Sequence, residues 1–167
     1  EGSRTEAFEY AKLLNDQINE SLGGQHKATR AGLEALLADN DSRSGKPLDT
    51  FLRELRGPGS IFVLTAEGFQ RRVSSVRDTQ GNTPIGTYLT AEHPAYHDLI
   101  TGRPHTGQVI FLGRQYLATF MPLVDANNQV IGATAVGIDL DEQLRALNDE
   151  VRNMQVGTSG YYYIIDA

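Results

Sequence analysis

Residues 106–138, TGQVIFLGRQYLATFMPLVDANNQVIGATAVGI, decide the fold. Three runs rich in β-branched and aromatic residues (106–112, 115–124 and 129–138) are separated by the turn formers Gly113-Arg114 and Asp125-Ala126-Asn127-Asn128. Short turns between such runs join antiparallel neighbours, so the stretch predicts a three-stranded meander. Moving back along the chain, residues 60–65 and 69–76 flank the tight turn Ala66-Glu67-Gly68 and predict a hairpin. Residues 85–89 are extended or irregular. A small helix follows, with Pro94 in its first turn and Gly102 at its C-terminal end.

The character changes before Gly57-Pro58-Gly59. Residues 4–22 predict a helix whose apolar stripe contains Phe8, Ala11, Ile18 and Leu22, ended by Gly23-Gly24. Residues 26–38 predict a second helix with Ala28, Ala31, Ala35 and Leu36 or Leu37 facing inward. Residues 39–47 (DNDSRSGKP) predict a loop, and 48–55 a short helix burying Phe51, Leu52 and Leu55. After the meander, residues 141–154 predict an exit helix. Its seam of Leu140, Leu144, Leu147, Val151 and Met154 alternates four and three apart, as in a coiled coil. Strands segregated from helices make an α+β fold. The expected organisation is a helical region at 1–57, a sheet module at 58–140, an exit helix at 141–157, and the start of a further strand or module at 158–167. A chain beginning at Glu1 and ending on YYYIIDA reads as a fragment excised from a longer protein.

Composition excludes several functions. The 167 residues carry a net charge of −6, which argues against a nucleic-acid partner, since phosphate binding needs a basic surface. With no cysteine there is no disulfide, thiol nucleophile or thiolate metal site. No apolar run is long enough for a bilayer. No nucleophile elbow, metal-ligand motif or carboxylate pair stands out, so neither an enzyme nor a cofactor is expected.

Five pieces in order resemble one family. They are GFQRRVSSVRD at 68–78; HPAY at 93–96 with GRPHTG at 102–107; GRQY at 113–116 with PLVD at 122–125; VIG at 130–132 with GID at 137–139; and VGTSGYYYIIDA at 156–167. Together, over about residues 58–167, they are similar to the Cache 3/Cache 2 fusion group of bacterial chemoreceptors and related sensors. The resemblance implies a PAS-like antiparallel sheet of five to six strands between a long N-terminal helix and a C-terminal exit helix. It implies the periplasmic domain of an inner-membrane receptor, with chemotaxis as the favoured output and helix shifts as the signal. It also implies a small-molecule ligand, here with carboxylate favoured. The seam from Leu140 to Met154 can pair with Phe8–Leu22 of its own chain or with a second protomer, and a homodimer through the helices is the expected assembly. The rival is a module that spaces a second Cache module from the membrane, or docks a periplasmic protein, without a ligand of its own.

Candidate ligand contacts follow. Arg114, Tyr116, Ala118, Phe120 and Pro122 alternate and so share one strand face. Arg114 offers a planar fork for a carboxylate and Tyr116 a hydroxyl, the pattern the resemblance also implies at both positions. Of the neighbours Arg71 and Arg72 only one can face a pocket. The resemblance puts an Arg at 71 and an apolar residue at 72, so Arg72, with Gln70 and Ser74 on its face, departs from the pattern. The pocket is expected between the sheet and residues 88–106, which brings in Tyr88, Tyr96 and Arg103, with His105 beside the last. His93 and His97 stand four apart, a spacing able to chelate a metal, but without a third ligand they read as a surface pair and no metal is expected. Asp139 ends the last strand. It could accept a ligand ammonium, but Glu142 three residues on favours a helix cap.

Overall fold

The computed structural model describes residues 2–24 and 26–155. Five helices and six strands occur among them: α1 (Gly2–Gly24), α2 (Arg30–Ser42), α3 (Pro47–Glu54), β1 (Gly59–Thr65), β2 (Gly68–Ser74), β3 (Tyr88–Leu89), α4 (Tyr96–Ile100), β4 (His105–Phe111), β5 (Arg114–Val124), β6 (Val130–Asp139) and α5 (Leu140–Gln155). The strands form one sheet in the order β3-β2-β1-β6-β5-β4, every pairing antiparallel. The fold is the expected α+β. The expected strand at 158–167 and the seam side chains Val151 and Met154 lie outside what is described.

The sheet has two unlike faces. One takes α1, α2 and α3 over a core that includes Leu14, Ile18, Leu22, Leu33, Leu52, Ile61, Val63 and Leu123. Full burial of each such side chain contributes about 1.5–3 kcal/mol relative to exposure. Asn15 ties α1 to this face, its amide donating to the Pro122 carbonyl (3.2 Å) and the Thr134 hydroxyl (3.3 Å). The other face carries Phe62, Phe69, Ala118, Phe120, Ala133 and Ala135 under α4 and Leu89.

Several local expectations are corrected. The stripe of α1 runs through Ala7, Ala11, Leu14, Ile18 and Leu22, which leaves Phe8 41% exposed. In α2 the inward residues are Leu33, Leu36, Leu37 and Asn40, while Ala31 and Ala35 face solvent. That helix starts later than expected, at the Thr29 cap, whose hydroxyl accepts from the Gly32 N–H (2.9 Å). It also runs on into the expected loop. Asn40 is the reason: its buried amide donates to Asp49 (2.8 Å) and its oxygen accepts the Leu48 N–H (2.7 Å), locking the last turn of α2 onto the start of α3. The β4–β5 turn is centred on Leu112-Gly113, one residue earlier than expected, and both residues have positive φ (53° and 79°). Gly57 is required sterically, because a Cβ there would sit 1.9 Å from the Gly137 carbonyl oxygen.

Register matters most in β2. Ile61 pairs with Val73 but Phe62 pairs with Arg71, so Arg72 is the extra residue of a β-bulge. The bulge leaves Arg71 on the α4 face with Phe62, and reverses the alternation beyond it. Ser74 therefore joins the Arg71 face, where its hydroxyl meets that of Ser60 (2.9 Å), and not the face of Arg72 as simple alternation predicts.

Candidate functional site

A cavity of about 130 Å³ opens between the α4 face of the sheet and the segment that returns through β3 and β4. Its walls are largely apolar: Pro58, Val76, Leu89, Val109, Phe111, Ala118, Phe120, Ala135 and Gly137. Its polar groups are Ser60, Arg71, His93 and Tyr116.

Arg71 dominates the site. Its guanidinium carbon lies 4.7 Å from the ring centre of Phe62 and 4.4 Å from that of Phe111. Nε donates to the Ser60 hydroxyl (3.0 Å) and Nη1 to the Thr87 hydroxyl (2.8 Å). The backbone of Arg71 holds Thr87 in place, its N–H donating to the Thr87 carbonyl (2.8 Å). Among the described residues no carboxylate pairs with it. Burial without a counter-charge pushes its pKa down to about 10.

The other arginines differ. Arg72 crosses to the helix face and forms a two-pronged ion pair with Glu34 of α2 (2.6 and 3.2 Å). The hydrogen bond from Arg72 holds the Glu34 carboxyl below its usual range. Arg114 sits at a neighbouring cleft with Arg77 and Asp78 and is paired with Asp139. Arg103 is paired with Asp98 (3.3 Å), which also takes His105 Nδ1 (2.9 Å). Geometry thus separates the two adjacent candidates: Arg71 enters the cavity and Arg72 does not.

Tyr116 lines both the cavity and the cleft. Burial, then the charge of Asp139, raises its pKa, so its hydroxyl stays protonated and able to donate. Tyr88 borders the cavity, but its register partner is Gln70, so its side chain belongs to the face of Arg72. Tyr96 packs edge-on against Phe69 (5.7 Å) and is not among the lining residues. Asp139 accepts the Glu142 N–H (3.1 Å), as a cap of α5 does, besides binding Arg114.

His93 corrects the expectation of a surface pair with His97. The helix starts only at Tyr96, so the two do not share a helix face, and His93 lies against Phe120 (5.3 Å) in the cavity wall. The Ala95 N–H donates to Nδ1 (3.0 Å), so the neutral ring carries its proton on Nε2. Burial, then the charges of His105 and Arg71, lowers its pKa. Ser60, Thr87 and the two sandwiching phenylalanines escaped the sequence reading. Their association with Arg71 depends on strand register, which no local pattern carries.

Residues 14–167 match the Cache 3/Cache 2 fusion domain. The chain belongs to that family. The match starts well before the point where the sequence resemblance was legible and takes in the C-terminal half of α1. The periplasmic sensory domain of the Campylobacter jejuni chemoreceptor Tlp1 has a similar fold, with TM-score 0.52 at 14% identity over 84% of this chain and 55% of that one. This Cache chain therefore spans about half of that sensory domain. The Escherichia coli DcuS sensor domain gives TM-score 0.44 at 17% identity, covering 81% of this chain and 98% of its own. The Vibrio cholerae histidine kinase DctB sensor domain gives 0.48 at 16%, covering 79% and 58%. No curated protein sequence matches the chain. Among the described residues no helix is long and apolar enough to cross a membrane, and no three metal-ligating side chains gather.

Proposed function

We propose that this Cache domain is the periplasmic ligand-binding sensor of a bacterial inner-membrane receptor, with chemotaxis as the favoured output, and that its ligand is a small organic anion, a carboxylate first. The observation that carries the reading is Arg71, a desolvated cation without a carboxylate partner, lining an open cavity. Buried charges are ordinarily paired, so an arginine held this way favours an anion from outside the chain. Tyr116 and His93 add donors beside it. A homodimer formed through the helices fits α5, whose Leu144 and Leu147 are 57% and 49% exposed. The spacer or docking reading also draws on that exposed row, but gives no account of Arg71.

The test is thermal unfolding of the chain with a panel of carboxylates, amino acids and amines. A ligand at a hundredfold excess over Kd stabilises by about 2.7 kcal/mol, a rise of about 5–10 °C for a domain this size. The rise should come with carboxylates and vanish in Arg71→Met. A rise confined to amines, or one that survives in Arg71→Met, would sink the proposal.

A further inference from the structure

The ionic partners around the cavity narrow the ligand class, provided Arg71 anchors it as proposed above. We infer that the site selects a monocarboxylate with a short uncharged tail and discriminates against both α-amino acids and dicarboxylates.

Among the described residues the cavity offers one cation, and no acidic side chain lines it. Arg114 is engaged by Asp139 and Arg103 by Asp98, and neither lines the cavity. Arg77 is exposed in the adjoining cleft, where it donates to the Gly81 carbonyl (3.4 Å). A second carboxylate inside the cavity therefore meets apolar wall, where an unpaired charge is strongly disfavoured.

Nor does the cavity offer an ammonium acceptor, for none of its lining residues is acidic. Asp139 is already bound by Arg114 and the Glu142 N–H, and Asp98 by Arg103 and His105. His93 presents Nε2–H, because the Ala95 N–H occupies Nδ1. Tyr116 keeps its proton. The polar groups that reach the cavity are thus weighted toward donors, which suits one anionic head and leaves an ammonium without a partner.

Size sets the tail. The cavity of about 130 Å³ is small beside the roughly 300–1,000 Å³ of pockets for drug-sized ligands, which suits a carboxylate with a short tail. Val109, Phe120 and Ala135 are the apolar surface that such a tail covers.

Isothermal titration calorimetry on the chain at pH 7, with propionate, butyrate, L-alanine and succinate, tests the inference. Propionate and alanine differ only by the ammonium group, and alanine should bind at least about a hundredfold more weakly. Succinate should bind at least about tenfold more weakly than butyrate. Ala135→Val, which narrows the apolar wall in register with Ser60 and leaves Arg71 itself in place, should weaken butyrate more than propionate. Alanine or succinate binding within about threefold of its matched acid would overturn the selectivity while leaving the Arg71 anchor standing. Equal weakening of butyrate and propionate by Ala135→Val would overturn the placement of the tail. Absence of heat from all carboxylates, in a chain folded by circular dichroism, would instead overturn the anion-sensor reading on which this rests.

Discussion

Replacing Arg71 with methionine separates an arginine kept for a ligand from one kept for the fold. The charged form pays for its burial: a pKa pushed down to about 10 corresponds to roughly 3 kcal/mol of lost preference for the guanidinium. The group is protonated in both states at pH 7, and a base depressed in the folded state recovers that loss only as pH rises past its folded pKa. At neutral pH the penalty is therefore fully present. Against it stand the two phenylalanine contacts and the two hydroxyl bonds. The contacts contribute about 1–2 kcal/mol each when desolvated. The hydroxyl bonds contribute about 1 kcal/mol each in net terms. Methionine keeps most of the packing volume and brings no charge. Neither hydroxyl is orphaned, since Ser60 keeps Ser74 (2.9 Å) and Thr87 keeps the Pro84 carbonyl (2.7 Å). The favourable contacts outweigh the penalty by about 1–3 kcal/mol. We expect Arg71→Met to lower ligand-free stability by about 1–3 kcal/mol in urea denaturation, while abolishing the stabilisation that carboxylates confer. A ligand-free loss beyond about 3 kcal/mol would show that Arg71 is a structural keystone and refute the reasoning.

Further outcomes are expected elsewhere. Arg72→Met breaks a half-exposed pair with Glu34 and should cost about 1 kcal/mol or less, with the carboxylate response intact; loss of that response would move the anchor to the helix face. His93 has a pKa below its ordinary 6.5, so the unfolded chain binds its proton more readily. Stability should fall as pH drops from 7 toward 5, with a shallower slope in His93→Gln; equal urea midpoints for the two proteins across that range would remove His93 as the cause. Leu112→Asn places the favoured residue in a two-residue turn with positive φ at both positions, and should raise stability by about 0.5–1 kcal/mol in the same assay; no gain would mean that Leu112 packs usefully in the cleft it borders. A Cβ at Gly132 would lie 2.4 Å from the Phe62 carbonyl oxygen and 2.8 Å from Leu33, so Gly132→Ala should destabilise by about 3 kcal/mol or more, and a neutral result would show that β6 can shift on β1.

What the sequence discloses and withholds follows from the range of the interactions. The meander was legible because alternation and turn residues act within a few positions. Helix α2 was misplaced because its ends are decided by Thr29, a local cap, and by Asn40, whose partners are supplied by the next helix. Phe8 was assigned inward because it stands three positions before Ala11, but the 100° step of the helix favours Ala7, four before Ala11 and in line with Leu14 and Ile18. The site follows the same rule. Arg71, Arg72, Arg103 and Arg114 are chemically equal in the sequence, and which of them is free depends on Glu34, Asp98 and Asp139. Glu34 lies 38 positions from Arg72, and Asp139 lies 25 from Arg114. The bulge at Arg72 needs the register of β1, and the parity of Ser74 depends on it.

For the proposed sensor, the path from cavity to output is short. Gly137 lines the cavity, Asp139 stands two residues on, and α5 starts at Leu140. Asp139 also pairs in register with Tyr116, which lines both cavity and cleft, and is clamped by Arg114 from the start of the strand that carries Tyr116. Strands β5 and β6 pack against α1 on their other face as well. A ligand that moves Tyr116 therefore acts on a strand pair carrying both the cap of the exit helix and the seat of the entry helix. A helix cap contributes about 1 kcal/mol, so a ligand that alters its geometry by a fraction of that already shifts a two-state equilibrium severalfold. The sheet itself need not bend. In the proposed sensor the signal would leave the sheet at the junction of β6 and α5: the Arg71 guanidinium, on β2, lies against Phe62 of β1 and Phe111 of β4, so a charge bound there bears on both halves of the sheet.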